Sequence, residues 1–492
     1  MDLTVLLFLS SGLFLGWSLG ANDAANVFGT AVGTRMVRFA TAAIVCSVFV
    51  ILGSVLSGAG AAHTLGKLGS INALGGSFMA AFSAALTVYM MTKLELPVST
   101  SQAIVGAIIG WNLFSGSVTD SAALIKILAT WVACPVLAAA IAAPLYVATQ
   151  RLLKRANLHI LRKDIYTRFA LVLAGAFGSY SLGANNIANV MGVFVPVAPF
   201  TDISIGGAFT FSGIQQLFLL GAIAIAVGVF TYSKRVMLTV GGGLMPLTPV
   251  AAWVVVIAHS IVLTLFASEG LEFFLASNGL PTIPLVPVSS SQAVVGAVIG
   301  IGLLKGGRNV RWRVLGNISM GWVTTPLISA ILCFVSLFFL QNVFNQKVYS
   351  EIHYSLSPKA MELLVERSFP AEDLTGLQDK DYASAADFLK AIGEQTYLTG
   401  NQQERILGFA EIADIYFDPE IIASIEPDWM TENQISALRQ LTGERFQYKW
   451  AVEDALANAS EEWRLLPDTI QNKRDNKDVK AKLAFVYRTF SL

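Results

Sequence analysis

Charged residues are what this chain has least of: they make up 13% of its 492 residues, about half the share usual in a soluble domain. The shortage is sharpest among acids. Up to Phe344 there are 8 Asp and Glu against 17 Lys and Arg, whereas from Asn345 onward 25 acids face 16 bases. The formal net charge of zero therefore conceals a basic part and an acidic part. Cysteine is scarce too: Cys46, Cys134 and Cys333 sit in apolar segments without metal-ligand spacing and read as buried thiols. The four histidines, His63, His159, His259 and His353, are scattered, and no His-Glu-x-x-His element occurs. His259-Ser260 lies in an apolar run and reads as a packed polar pair, not a nucleophile with its base. No complete catalytic constellation is left, so the chain reads as no enzyme and needs no cofactor. The N-terminus lacks a basic region and a small-residue cleavage site, which points to a retained first helix and not a signal peptide.

Apolar sequence is what the chain has in excess. Hydrophobic residues reach 54% and the mean hydropathy is +0.61. Many runs before Phe344 are long enough to cross a bilayer as helix, which takes roughly 20 residues. The expected segments are 3–34 (interrupted at Gly20–Asn26), 38–60, 72–92, a helix opened by Pro97 and reaching Phe114, and 121–148. A second set follows at 169–196, 203–232 and 250–268, then a helix from Pro287 to about Leu304, and 314–340. The stretch 236–249 fits either a loop or a short helix. Residues 1–150 and 169–344 thus form two membrane repeats, joined by a basic loop at 151–168. Residues 345–492 form an acidic, soluble, mainly helical domain, with segments 383–394, 402–416 and 431–441 at helical spacing. Its acidity excludes a nucleic-acid partner, and Lys473–Lys482 reads as a solvated helix face.

Two unusual polar stretches occur twice. Ser18-Leu-Gly-Ala-Asn-Asp-Ala-Ala-Asn26 returns as Ser181-Leu-Gly-Ala-Asn-Asn-Ile-Ala-Asn189, and residues 97–110 return at 287–300 with 11 of 14 positions identical. Polar groups inside an apolar segment are costly unless they bind something. Matching interruptions in two halves of a membrane chain point to a transporter's substrate site. An odd number of crossings, five per repeat, inverts the second repeat relative to the first. With the 151–168 cluster cytoplasmic, Arg35/Arg38, Lys234/Arg235 and Lys305–Arg313 fall on the same side. The N-terminus and the acidic tail then lie outside a multi-pass protein of the cell membrane.

In the first motif, a break in a transmembrane helix exposes backbone groups that only protein or a cavity can satisfy. Asn22, Asp23 and Asn26 add hard oxygen ligands for Na⁺ or, at the carboxylate, a transferable proton; Asn185, Asn186 and Asn189 are their counterparts. The second motif has opposite polarity. Pro-Val-Ser-x-Ser-Gln reads as a turn, a hydroxyl N-cap and a helix whose first N–H groups and dipole attract an anion. Ser99, Thr100, Ser101 and Ser289, Ser290, Ser291 add hydroxyl donors. Asn22, Asn185, Gln102 and Gln292 supply acceptors to an anion that carries a proton. Capping alone accounts for one serine per copy, not three hydroxyls and a glutamine.

This constellation resembles the PiT family of inorganic phosphate transporters, marked by a duplicated Gly-Ala-Asn-Asp-x-Ala-Asn element in inverted repeats and by Pro-x-Ser-x-Ser/Thr hairpins. The resemblance covers residues 1–344. It implies an all-α polytopic membrane protein with two inverted repeats, broken helices and re-entrant-type hairpins. It also implies a symporter of inorganic phosphate with Na⁺ at Asp23, Asn26, Asn186 and Asn189, working as a homo-oligomer such as a dimer in the lipid bilayer. Proton or metal–phosphate symport, and a sulfate or other oxyanion permease, are the alternatives. Asn186 stands where the family repeats its aspartate, which leaves cation number and identity open.

Overall fold

The computed structural model describes residues 3–491 except 70, 95–97, 157, 201, 206–208, 241–243, 309, 368, 370, 397, 426–429, 468 and 470. The first repeat folds as α1 (Leu3–Gly33), α2 (Phe39–Ser57), α3 (Ala59–Leu68), α4 (Leu74–Lys93), α5 (Thr100–Ser115) and α6 (Ser121–Arg155). The second folds as α7 (Ile160–Met191), a hairpin of β1 (Ile203–Ile205) and β2 (Phe209–Phe211), α8 (Gly213–Thr231), α9 (Ser233–Val240), α10 (Pro249–Leu265), α11 (Glu269–Ser277), α12 (Ser290–Leu304) and α13 (Trp312–Asn342). Among the described residues, α1, α2, α4, α6, α8 and α13 are long and apolar enough to cross a membrane, and α10 with α11 forms a further pair bent by 66°. The chain is thus multi-pass.

The repeats interlock. Helix α1 packs on α8 and α2 on α7, and likewise α5 packs on α13 and α12 on α6. Glycine is what lets these backbones meet. A Cβ at Gly106 would stand 2.1 Å from the Pro326 carbonyl oxygen, and one at Gly296 2.1 Å from that of Pro135. Small residues at such contacts replace the hydrophobic drive that lipid removes. The outward faces of α6 and α13 stay apolar and exposed, at Val132, Val136, Val323 and Leu327 among others, as lipid-facing side chains must be.

Helices α4 and α5 form a hairpin that enters and leaves at one end of the bundle. Asn72, before α4, exchanges hydrogen bonds with Ser350, and Gly116, after α5, packs against Ser384. At 16 and 15 residues, α5 and α12 fall short of the roughly 20 needed to cross. Both therefore suit re-entrant hairpins, and neither supports a count of five full crossings per repeat.

Further expectations for the membrane part are corrected. The motif helices are unbroken: α1 runs through Gly20–Asn26 and α7 through Gly183–Asn189. Alanine-rich motifs keep their helical bonds, and Gly20 and Gly183 serve close packing instead, with Cβ positions 2.0 Å from Ile225 O and 2.2 Å from Val50 O. The basic stretch 151–168 is not a loop, because its Leu, Lys and Arg extend α6 to Arg155 and α7 from Ile160. The 203–232 segment starts as the β1–β2 hairpin, since Ile203, Phe209 and Phe211 alternate with Ser204 and Thr210. Stretch 236–249, left open, is helical through Val240 in α9.

The tail holds α14 (Pro358–Glu366), α15 (Ala385–Gln395), α16 (Gly400–Ala410), α17 (Pro419–Ser424), α18 (Glu432–Gln440), α19 (Lys449–Ala459) and α20 (Lys473–Phe490). Strands β3 (Ile412–Tyr416) and β4 (Arg445–Tyr448) pair antiparallel, so the last residues of the 402–416 segment are strand. Two apolar clusters form its cores, one around Phe388 and Ile406, the other around Phe417, Trp463 and Phe490. The tail sits at the end of α13, against the membrane helices. Trp111 Nε1 donates to Val348 O (3.0 Å), Arg488 to Ala198 O (2.7 Å), and Lys477 pairs with Glu269 (2.8 Å). The basic residues gather at the opposite end, where Arg168 donates to Met36 O and Lys234 covers Phe39.

Candidate functional site

The four repeated motifs meet in the bundle interior. Ser99 is the N-cap of α5 and Ser289 that of α12, each accepting from the backbone N–H of the glutamine three residues on, Gln102 or Gln292, at 3.3 Å. One serine per copy is thereby explained as a cap. The N–H groups of Thr100, Ser101, Ser290 and Ser291 are those for which a helix head offers no intrahelical partner. Pro97 lies outside the described residues, whereas Pro287 is buried.

Hydrogen bonds tie each Asn helix to the other repeat's hairpin. Asn26 Nδ2, on α1, donates to Ser290 Oγ (3.1 Å) and weakly to Asp23 Oδ1 (3.4 Å). Asn189 Nδ2, on α7, donates to Ser101 Oγ (2.9 Å) and to Asn186 Oδ1 (2.8 Å). Ser101 Oγ in turn donates to Val288 O (3.0 Å), which joins the two hairpins. Ser289 and Ser291 hydroxyls pair at 3.0 Å. The structure thus brings Asp23, Asn26, Asn186, Asn189 and the serines of both hairpins together around the two helix heads, in separate small hydrogen-bonded sets.

Two expected residues do other work. Asn185 holds the extended approach to α12, giving its amide to Val286 O (3.1 Å) and taking Val288 N–H (2.8 Å). Asn22 donates to Thr92 Oγ1 (2.9 Å) at the end of α4. Sequence reasoning missed Thr92 and His259. Neither belongs to a repeated motif; for His259, its place in an apolar run was the one available signal. His259 Nε2 stands 2.9 Å from Ser290 Oγ.

The site is buried and incompletely paired. Every motif residue named is at most 6% exposed, and Thr92 is 8% exposed. Yet Thr100 Oγ1, Gln102 Oε1, Gln292 Oε1, Asn186 Nδ2 and Asn189 Oδ1 are buried with no hydrogen-bond partner among the described residues. Buried polar atoms are almost always paired, and each one left unpaired costs about 1–3 kcal/mol. Donors and acceptors are both represented, which fits an anion together with a cation.

Residues 19–333 match the profile of the phosphate transporter family. The chain belongs to that family. Its members are transporters, not enzymes. A protein of Methanocaldococcus jannaschii, provisionally named a phosphate permease, is 29% identical over 68% of this chain and 97% of its own length. Sodium-dependent phosphate transporter 1-B of Danio rerio is 38% identical over 34% of this chain and 22% of its own. A solved structure titled "The sodium-dependent phosphate transporter" shares the fold, with a TM-score of 0.53 at 22% identity, covering 69% of this chain and 99% of that one. The acidic tail lies beyond the family match, which ends at residue 333.

Proposed function

We propose that this family member is a Na⁺-coupled symporter that holds inorganic phosphate between the heads of α5 and α12. The observation that supports the reading is that, among the described residues, all four repeated motifs carry buried polar atoms without a partner, Ser18 Oγ being the one on the first, and that Asn26 of this first motif is bonded directly to Ser290. Backbone N–H groups at the helix heads and the hydroxyls of Ser99, Thr100, Ser290 and one of the Ser289–Ser291 pair donate to the anion, while Ser101, whose hydrogen goes to Val288 O, holds the two hairpins together beside it. Gln102, Gln292 and Asn189 oxygens accept, either from the phosphate hydroxyl or by binding Na⁺. Asp23, Asn26, Asn186 and Asn189 form the oxygen set for Na⁺, with Asp23 as its one formal charge; Asn22 and Asn185 position α4 and the α12 approach beside it.

Coupling has a physical motive. Moving an anion inward against an inside-negative potential costs roughly 2.3 kcal/mol per charge per 100 mV, so a dianion needs at least two cations for neutrality. The zebrafish relative is named sodium-dependent, which supports Na⁺ over H⁺. The basic end of the bundle faces the cytoplasm and the N-terminus and tail face outside, by the positive-inside bias. The domain division is two membrane repeats, inverted to one another and meeting between the end of α6 and the start of α7, with 345–492 as a soluble domain. The protein works as a homo-oligomer such as a dimer.

Phosphate uptake into proteoliposomes under an imposed Na⁺ gradient tests the reading. Saturable, gradient-dependent uptake is expected, inhibited far better by unlabelled phosphate than by sulfate, which offers no hydrogen to the acceptors. Uptake driven equally well without Na⁺, or blocked equally by sulfate, refutes it.

A further inference from the structure

We propose that His259 is a positioning residue which, by donating from Nε2, turns the Ser290 hydroxyl into a dedicated hydrogen-bond donor for the transported anion. The inference rests on the reading of the α12 head as part of the phosphate site.

A serine hydroxyl has one hydrogen and two lone pairs. At Ser290 one lone pair is taken by Asn26, whose Nδ2 can only donate (3.1 Å). His259 Nε2, at 2.9 Å, has two options. It accepts the Ser290 hydrogen, or it donates into the second lone pair. The first option puts the ring proton on Nδ1, which is buried without a partner among the described residues. An orphaned buried N–H is among the rarest features of native structures. The second option leaves Nδ1 as a bare lone pair and fills both lone pairs of Ser290. The hydroxyl hydrogen is then free to point only at a ligand. Which ring nitrogen carries the proton follows from the bonds around it, and an anion at the head of α12 selects this second arrangement by accepting that hydrogen.

The first repeat has no equivalent device. Ser101 also receives an asparagine N–H, from Asn189, but it spends its own hydrogen on Val288 O. Thr100, the repeat counterpart of Ser290, has no partner to orient its hydroxyl among the described residues. The two halves of the site are therefore unequal: the second carries a hydroxyl aimed in advance, the first a hydroxyl used to join the hairpins. Both His259 and Ser290 are buried, so water competes little for either.

The test measures phosphate KM and kcat for the full-length protein in proteoliposomes. His259→Leu is expected to raise KM about tenfold, the worth of one hydrogen bond to a charged group, with a much smaller change in kcat. In a Ser290→Ala background, itself raised in KM, His259→Leu should add nothing further. His259→Gln, whose amide N–H reaches near the Nε2 position, should restore KM, and the shorter His259→Asn should not. That last pair also serves if His259→Leu fails to insert: equal KM values for Gln and Asn overturn the proposal. So does a His259→Leu effect that persists undiminished without the Ser290 hydroxyl. An unchanged KM in Ser290→Ala alone would instead remove Ser290 from the anion site, and the inference with it.

Discussion

Gly20 and Gly29 lie on the same helix and predict opposite outcomes for the same substitution. On propensity alone, Gly→Ala inside a helix stabilises by about 1 kcal/mol at either site. At Gly29 a Cβ would meet Met237 O at 3.4 Å, an ordinary contact, so Gly29→Ala keeps that gain. At Gly20 it would stand 2.0 Å from Ile225 O and 2.8 Å from the carbonyl carbon. Both atoms are backbone, which no rotamer change relieves. Restoring a normal carbon–oxygen approach of ~3.3 Å requires α1 and α8 to part by roughly 1 Å. Overpacking of this kind costs about 1–3 kcal/mol, enough to outweigh the propensity gain. Separation also displaces Asp23 and Asn26, three and six residues further along α1. Thermal unfolding in detergent micelles should therefore show Gly29→Ala at or above wild type and Gly20→Ala several degrees below it, with phosphate uptake lost only in the latter. If Gly20→Ala were as stable and active as Gly29→Ala, the close-packing account of the motif glycine would be wrong.

Asp23→Asn should abolish Na⁺-driven uptake while leaving expression intact; wild-type uptake with unchanged Na⁺ dependence would remove Asp23 as the cation ligand. Asn186→Asp restores the second carboxylate, so the Hill coefficient for Na⁺ should rise, and a titration superimposable on wild type refutes the idea that Asn186 limits cation number. A chain ending at Glu351 keeps the Trp111–Val348 and Asn72–Ser350 bonds and should insert and bind phosphate. Loss of binding in that folded, inserted truncation would show that the tail helps form the site. In the tail, Arg445 beside Asp414 and the Thr431 and Asn433 side chains beside Glu462 hold both carboxyls below their usual range. A depressed folded pKa adds stability that is present above the unfolded value and is lost as pH falls through the folded one. The tail's unfolding temperature should thus drop as pH descends below the ordinary carboxylate range, and Asp414→Asn should flatten that drop.

The hairpin elements were legible in the sequence because two periodicities agree there: a hydroxyl cap, then small residues every four positions. Ser99 and Ser289 cap where the pattern puts them, and Gly106/Gly110 and Gly296/Gly300 face a neighbouring backbone. The Asn motifs misled, since glycine followed by asparagines looks like a helix break when no partner helix is known. Only the proximity of Ile225 and Val50 tells a packing glycine from a breaking one. His259 and Thr92 escaped for a related reason. Each acts through a neighbour distant in sequence, Ser290 and Asn22, and a lone polar residue in an apolar run carries no direction. The helical stretches at 151–155 and 160–168 show that charge density alone says nothing about loop or helix.

The crossed pairing of the repeats bears on how the molecule is made. Because α1 rests on α8, and α5 on α13, the first half leaves the ribosome with its glycine faces uncovered. At typical synthesis rates of ~5–20 residues per second, that exposure lasts on the order of ten to forty seconds before α13 arrives. Neither half has a complete interior without the other, much as in a swapped pair of subunits, except that a four-residue junction at 156–159 has fused the pair. Severing that junction should give two fragments that are each degraded when made singly and that assemble when made together.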